Sequence, residues 1–253
     1  MNNDKEEQLL KKRFFELSKI ADLKGICTYT DFLNLNEISI FKSINKELPN
    51  VNYQLYGGYE GAERNVICFY GDKSVKAFSS YITCIRIKPL NKKFSDDLTH
   101  RDFLGAIMNL RLERSKIGDI LVKEKEAYVF CLSSISSFII DNLNKIKHTS
   151  IQCERMNEEA PEIRPTFKEI RGTISSPRLD SIIALAFGSS RSSMLNLISS
   201  GNVFVDGRLV ESNSYVLKKG DIVSVRGHGK FIYKELQNQT KKGRYYCLIL
   251  KYT

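Results

Sequence analysis

The chain has 253 residues, 42% of them hydrophobic, with a formal net charge of +10, length enough for two or three small domains with their own cores. From Arg178 to the end there are 12 Lys or Arg against 5 Asp or Glu, a net of +7 that leaves only +3 for the rest, so the C-terminal third is expected to meet a polyanion. No apolar run approaches the ~20 residues that span a bilayer, the first residues are polar and acidic, and neither a basic amphipathic helix nor a lipidation motif is present, so a cytoplasmic protein with no membrane partner is expected.

Residues 5–24 place Leu9, Leu10, Phe14, Leu17 and Ile20 near one helical stripe. Thr30-Asp31 is expected to open a second helix through Glu37, Ile40, Phe41 and Ile44, ending before Pro49. Residues 53–56 and 66–69 read as strands flanking Gly57-Gly58-Tyr59-Glu60-Gly61-Ala62-Glu63-Arg64. That loop lacks the Gly-x-Gly-x-x-Gly order and the following Lys-Ser/Thr of a phosphate cradle, so it reads as a turn-rich hairpin loop.

From about residue 80 to 155 the order is strand (Ile82–Ile87), helix (Asp102 to about Leu112), strand (Ile117–Val122), strand (Glu126–Cys131), helix and strand (Ser150–Cys153). Ser133 or Ser134 is expected to cap the second helix, which continues through Phe138, Ile139, Leu143 and Ile146. This βαββαβ order predicts a ferredoxin-like sheet, an architecture many RNA-binding domains share. Tyr128 and Phe130 share a face of the third strand, where such a domain would stack bases, but the flanking Lys/Arg-Gly pattern is missing and ordinary packing is favoured. Met156 to Pro165 reads as an acidic linker or surface loop.

The remaining segment begins Ser176-Pro177-Arg178-Leu179-Asp180, with Ser176 as the expected N-cap and Pro177 at the first helical position. Leu179, Ile182, Ile183 and Ala186 recur at helical spacing, Ser189 or Ser190 caps a second helix, and Gly201 stops it. Asp206-Gly207 between Val203/Val205 and Leu209 is a two-residue hairpin signal. Phe231–Tyr233 and Tyr245–Leu250 could extend the sheet around the basic turn Lys241-Lys242-Gly243-Arg244, which is as well explained by solubility as by RNA contact.

This order of parts resembles the ribosomal S-four-type RNA-binding domain, in which a helix–turn–helix face joins a small sheet. Arg191 in the first turn of the second helix and Arg208, Lys218 and Lys219 at turns of the sheet can converge on one edge that grips an RNA backbone by charge and shape. Arg178, Ser190, Arg191, Arg208, Lys218, Lys219, Arg226 and Lys230 are the candidate RNA-binding residues.

Over nearly the whole chain a wider resemblance is carried by Asp31-Phe32-Leu33, the Gly57–Arg64 loop, Arg101-Asp102-Phe103-Leu104-Gly105-Ala106-Ile107-Met108, Lys116-Ile117-Gly118-Asp119-Ile120, Arg178-Leu179-Asp180 and Ser224–Phe231. Together these resemble the YlmH family of RNA-binding proteins, encoded beside division genes in Gram-positive bacteria. The resemblance implies an N-terminal α/β region (1–75), a central RNA-binding domain (76–160), a linker with a lead-in strand (161–176) and an S-four-type domain with a C-terminal hairpin (177–253), an α+β multidomain chain. It also implies partners among rRNA and tRNA and a role at the large ribosomal subunit in rescuing stalled peptidyl-tRNA. Two departures stand out. Ser193 occupies a place where relatives add a basic residue, and Asp206 stands where Asn is usual. A lost charged hydrogen bond there would cost ~1–3 kcal/mol of binding, unless Asp206 serves only the turn, for which Asp and Asn are both suited.

Catalysis finds little support. Arg178-Leu179-Asp180 superficially matches a pseudouridine-synthase motif, but it starts a helix, where Asp180 is a favourable N-terminal charge. No glycine-rich cofactor loop follows a strand, and His100, His148 and His228 lack a nucleophile motif. Asp96-Asp97 and Glu158-Glu159 read as solvated charge. The six cysteines form no Cys-x-x-Cys pair and have no His at ligand spacing, so buried, reduced thiols are expected, with no metal and no cofactor. A non-catalytic RNA clamp is therefore expected, with a protein–protein adaptor in division as the alternative and an RNA-modifying enzyme behind it.

Overall fold

A computed structural model describes residues 2–49, 51–71, 78–156, 166–241 and 243–252. The expected acidic linker lies outside these residues apart from Met156, as does Lys242 of the basic turn. The chain folds as two units, Met1–Arg164 and Pro165–Thr253.

The first unit opens with α1 (Asn2–Lys24), which buries Phe14, Leu17 and Ala21 against its neighbours. Leu9 is 60% exposed, because it lies off the face on which Leu10, Phe14, Leu17 and Ala21 pack. Thr28–Tyr29 form β1, so Thr30-Asp31 do not start a helix. The Thr30 hydroxyl instead accepts the Ile67 N–H at 2.9 Å. Helix α2 (Leu35–Ile44) begins at Asn34, whose side chain takes the Glu37 N–H while Glu37 returns a bond to the Asn34 N–H. Asn-x-x-Glu is a capping box with Asn in place of Ser or Thr. The strands β2 (Asn52–Tyr56) and β3 (Val66–Tyr70) complete a small antiparallel sheet in the order β1-β3-β2. Phe14, Phe41, Ile67 and Phe69 form the centre of its core.

A short α3 (Phe78–Tyr81) leads into β4 (Ile82–Pro89), α4 (His100–Met108), β5 (Ile117–Lys123), β6 (Glu126–Leu132), α5 (Ser133–Asn142), β7 (Lys145–Ile146) and β8 (Thr149–Arg155). The sheet order is β5-β6-β4-β8-β7, and every neighbouring pair is antiparallel. With β7 as an added edge, this is the ferredoxin-like arrangement expected from the βαββαβ order. Phe103 and Ile107 of α4 and Ile139 of α5 pack with Ile85, Ile87, Val129 and Cys131 on one face.

Both α4 and α5 differ from expectation in their limits, and α4 ends at Met108 rather than near Leu112. Helix α4 starts two residues earlier than Asp102, because Thr99 and Asp102 form a capping box that makes Asp102 the third helical residue. Neither Ser133 nor Ser134 caps α5. Leu132 holds that position, and the Ser133 hydroxyl bonds Thr83 at 2.8 Å. The helix also stops at Asn142, so Ile146 is a strand residue buried by the β7–β8 hairpin rather than a fourth helical contact.

The second unit consists of β9 (Phe167–Ile174), α6 (Leu179–Phe187), α7 (Arg191–Ser199), β10 (Val203–Val205), β11 (Arg208–Leu209), β12 (Ile222–Val225), β13 (Gly229–Gln239) and β14 (Tyr245–Tyr252). They form one antiparallel sheet in the order β11-β10-β12-β13-β14-β9, so the expected C-terminal hairpin does extend the sheet, and the lead-in strand closes it. Leu179, Ile182, Ile183, Met194 and Ile198 of the two helices cover Val203, Val223, Phe231 and Ile249. Helix α6 starts later than expected. Arg178, not Ser176, is its N-cap, and Pro177 lies before the helix, where its ring also biases Ser176 toward extended backbone. Ser190 caps α7 by accepting the Ser193 N–H. Asp206 (φ +47°) and Gly207 (φ +76°) form the two-residue turn between β10 and β11, with both residues left-handed as a type I′ turn requires.

Candidate nucleic-acid interface

The helix pair of the second unit is organised by one buried carboxylate. Asp180, in the first turn of α6, is 0% exposed and accepts from Arg191 Nε at 3.0 Å, Arg191 Nη2 at 2.6 Å and Arg178 Nε at 3.2 Å. Arg191 Nη1 also reaches the Ser175 hydroxyl at 3.4 Å. The Arg178 and Arg191 side chains keep 42% and 46% of their surface exposed, so both reach solvent while bound to Asp180. Asp180 therefore does more than complement a helix terminus. It sets the position of both arginines, and the cluster keeps one net positive charge. Ser190, expected as an RNA contact, serves as the α7 cap and also bonds the Ser192 hydroxyl at 3.0 Å.

The sheet-turn cations expected to share an edge, Arg208, Lys218 and Lys219, do lie together, whereas Arg226 and Lys230 lie apart from them. Register pairs Val205 with Val223 and Val225 with Gly229. This puts Arg208, Lys218 and Lys219 at one end of the strands and Arg226 and Lys230 at the opposite end, because β12 pairs with β10 rather than β11 and so starts at the end that holds the β10–β11 turn. At the first end the two acids of the turns, Asp206 and Asp221, are used by the backbone. Asp206 Oδ1 accepts the Ile222 N–H at 2.9 Å, and Asp221 Oδ2 accepts the Lys218 N–H at 2.7 Å. Arg208 and Lys218 are exposed and have no side-chain partner among the described residues, whereas Lys219 approaches Glu235 at 3.5 Å, a surface pair of little energetic weight. At the far end the Arg226 guanidinium lies 4.8 Å from the centre of the Phe204 ring and Lys230 Nζ lies 5.2 Å from that of Tyr252. In the C-terminal turn Arg244 donates to the Thr173 carbonyl at 2.7 Å and its hydroxyl at 3.0 Å, which ties that turn to β9.

In the first unit the aromatic pair on β6 is packed rather than open. Phe130 is 1% exposed, with its ring centre 5.0 Å from that of Tyr59, and Tyr128 is also buried. A Cβ on Gly58 would sit 2.2 Å from the Phe130 ring. The rest of that face carries an ion-pair chain in which Lys92 and Arg86 share Glu126, and Arg86 and Lys88 share Glu154.

Three motifs separated in sequence meet at one joint, which nothing in their spacing announces. Asp119 accepts from the Tyr59 hydroxyl at 2.7 Å and from the backbone N–H of Glu63 at 2.7 Å and Arg64 at 3.2 Å. Arg64 donates onward to the carbonyls of Ile117 and Phe32, Lys116 pairs with Asp31 at 2.8 Å, and a Cβ on Gly118 would meet the Phe32 ring at 2.6 Å. Burial lowers the pKa of Arg64 and takes Arg114 down to about 10, the latter also through its nearness to Arg64.

The thiols of Cys84, Cys131 and Cys153 are pushed up to about 12 by burial and that of Cys247 to about 11, which suits packed sulfur and not a nucleophile. Among the described residues no group of His, Cys, Asp or Glu is arranged to hold a metal ion, and no helix is long and apolar enough to cross a membrane.

The α–α–β unit with its basic turns is an S4 domain, and the S4 family model matches residues 177–223. A second model, described as "Putative RNA-binding domain in YlmH", matches residues 77–160. The chain thus carries a region that matches the YlmH RNA-binding domain, followed by a C-terminal S4 domain. It is 28% identical over 249 residues, 95% of this chain and 93% of the relative, to ribosome-associated protein quality control protein P2 of Bacillus subtilis (strain 168). Small ribosomal subunit protein uS4 of Thermoanaerobacter sp. (strain X514) is 36% identical over 76 residues, 30% of this chain and 37% of that protein. A solved structure, cell division protein ylmH from Streptococcus pneumoniae, covers 60% of this chain and 92% of its own at 24% identity and a TM-score of 0.49, a likeness too loose to carry an argument.

Proposed function

We propose that this protein is a non-catalytic RNA-binding protein of the cytoplasm that grips structured rRNA or tRNA at the large ribosomal subunit, in the quality control of stalled translation. The observation that carries this reading is the arginine pair on the S4 helices. Asp180 holds Arg178 and Arg191, whose side chains remain partly exposed, a preset arrangement for phosphate oxygens. Arg208 and Lys218 supply unpaired charge on the same unit. Similarity to the quality control protein P2 along 95% of the chain supports placing that grip on the ribosome. Phosphate contacts of this kind position a protein on folded RNA without reading base edges.

The test is sedimentation of lysates, with and without nuclease. Comigration with large subunits, lost at high salt and in Arg191→Ala/Arg208→Ala, is the expected result. Residence in light fractions under every condition, translational stalling included, would overturn the ribosomal placement. A nuclease- and salt-resistant complex with division proteins would replace it with the adaptor role.

A further inference from the structure

The central region presents a difficulty for RNA binding in the usual ferredoxin-like manner. Part of the sheet face that would stack bases is covered by the N-terminal region through Phe130 and Leu132, and part is crossed by the Arg86 ion-pair chain. An RNA contact by this region must come from elsewhere on its surface.

On the helix side lies an open groove of about 430 Å³, between α4 and the segment that leads from α5 into the β7–β8 hairpin. Arg101 and Lys145 line it, both exposed and both without a side-chain partner among the described residues. The carboxylate in its wall, Asp102, is already neutralised. Lys147 Nζ reaches it at 2.7 Å, and the Thr99 N–H and hydroxyl each donate to it at 2.8 Å. Asn109 and Asn144 add exposed carboxamides. The groove thus offers cations and neutral donors with no competing free carboxylate.

Gly105 supplies an independent observation. It lies inside α4, is exposed, and lines the same groove. A Cβ built there meets no atom within 4 Å, and its backbone is not in the left-handed region. Glycine weakens a helix interior, yet neither packing nor backbone conformation in this chain calls for it. Bare backbone lining the same groove as two unpaired cations leaves room for a close-approaching phosphodiester.

We propose that this groove is a second RNA site, in which Arg101 and Lys145 hold backbone phosphates across Gly105. The proposal rests on the RNA-binding reading above. It places the contact of the central region on its helix side, with the N-terminal region left to cover the sheet.

The test uses the full-length protein and a fluorescein-labelled RNA hairpin of about 20 base pairs, followed by anisotropy across a salt series. Arg101→Ala/Lys145→Ala is expected to weaken binding about ten-fold and to lower the slope of log K against log salt by about 2. Gly105→Ala is expected to weaken RNA binding while raising Tm, since alanine is the better helix former. A folding defect cannot produce that combination. Arg208→Ala, in the other unit, is the internal comparison. Parental binding by both groove variants while Arg208→Ala loses affinity would overturn the groove and leave the S4 grip intact. A parent protein that binds no hairpin at all would overturn both. Parental RNA affinity, together with loss of a protein from nuclease-treated pull-downs by the groove variants, would reassign the groove to an acidic protein partner.

Discussion

Replacing Asp180 by Asn separates a positioned arginine pair from a merely basic surface. The carboxylate is wholly buried and makes three charge-assisted contacts, two with Arg191 and one with Arg178. Removing one member of a buried ion pair costs about 3–5 kcal/mol when the stranded charge stays buried. Here the stranded arginine side chains are 42% and 46% exposed, so water compensates in part, and about 2 kcal/mol is the expected loss. In a unit of about 90 residues that corresponds to a fall in Tm of roughly 8–16 °C for its transition. Calorimetry of the full chain measures it, and hydrogen exchange at the start of α6 should show the same loss of protection. The variant also gains one positive charge, so a surface acting by charge alone would bind RNA more tightly. A clamp that has lost its orienting group binds more weakly. An unshifted transition, or tighter binding to the hairpin RNA, would refute the role given to Asp180.

Asp206→Asn is expected to leave stability within about 0.5 kcal/mol of the parent, since an Asn oxygen can accept the same Ile222 N–H and Asn tolerates the left-handed φ. A urea midpoint shifted well beyond that would show that the carboxylate matters to more than the turn. In the first unit, hydrogen bonds from Lys147 and Thr99 hold the Asp102 pKa at about 2, below its ordinary 3.8. Because the folded value is the lower one, the stabilisation is present above pH 3.8 and disappears as the pH falls through about 2. Urea midpoints measured across that window should drop for the parent more steeply than for Asp102→Asn, and parallel curves would remove Asp102 from the account.

Local signals were legible where local chemistry decides. The Asp206-Gly207 turn, the Ser190 cap and the βαββαβ order all follow from spacing and turn residues. The start of α2 was legible too, in Asn34-x-x-Glu37, but Thr30-Asp31 offered a competing cap that β1 pairing overrides. Ile146 keeps helical spacing with Ile139 and Leu143, yet the chain turns back at Asn142 and buries it from a strand. The distribution of cations turns on β12 pairing with β10 instead of β11, a choice that no local signal in the sequence carries. The Arg191–Asp180 pair and the Asp119 joint were not legible either, because they depend on how elements distant in sequence pack.

That joint bears on how the protein can be dissected. The match to the central family model begins at residue 77, inside the first unit, and not where a folding unit ends. A fragment cut there would lose Phe32, Tyr59 and Val66 and lay bare Ile82, Phe130 and Leu132, which they cover. It would also leave Asp119 without the Tyr59 hydroxyl and two backbone donors. Such a fragment would carry a freshly exposed apolar patch and self-associate. Non-specific adhesion of that fragment to nucleic acid or to tube walls would then be mistaken for affinity, so controls for the central region belong in full-length protein bearing point substitutions.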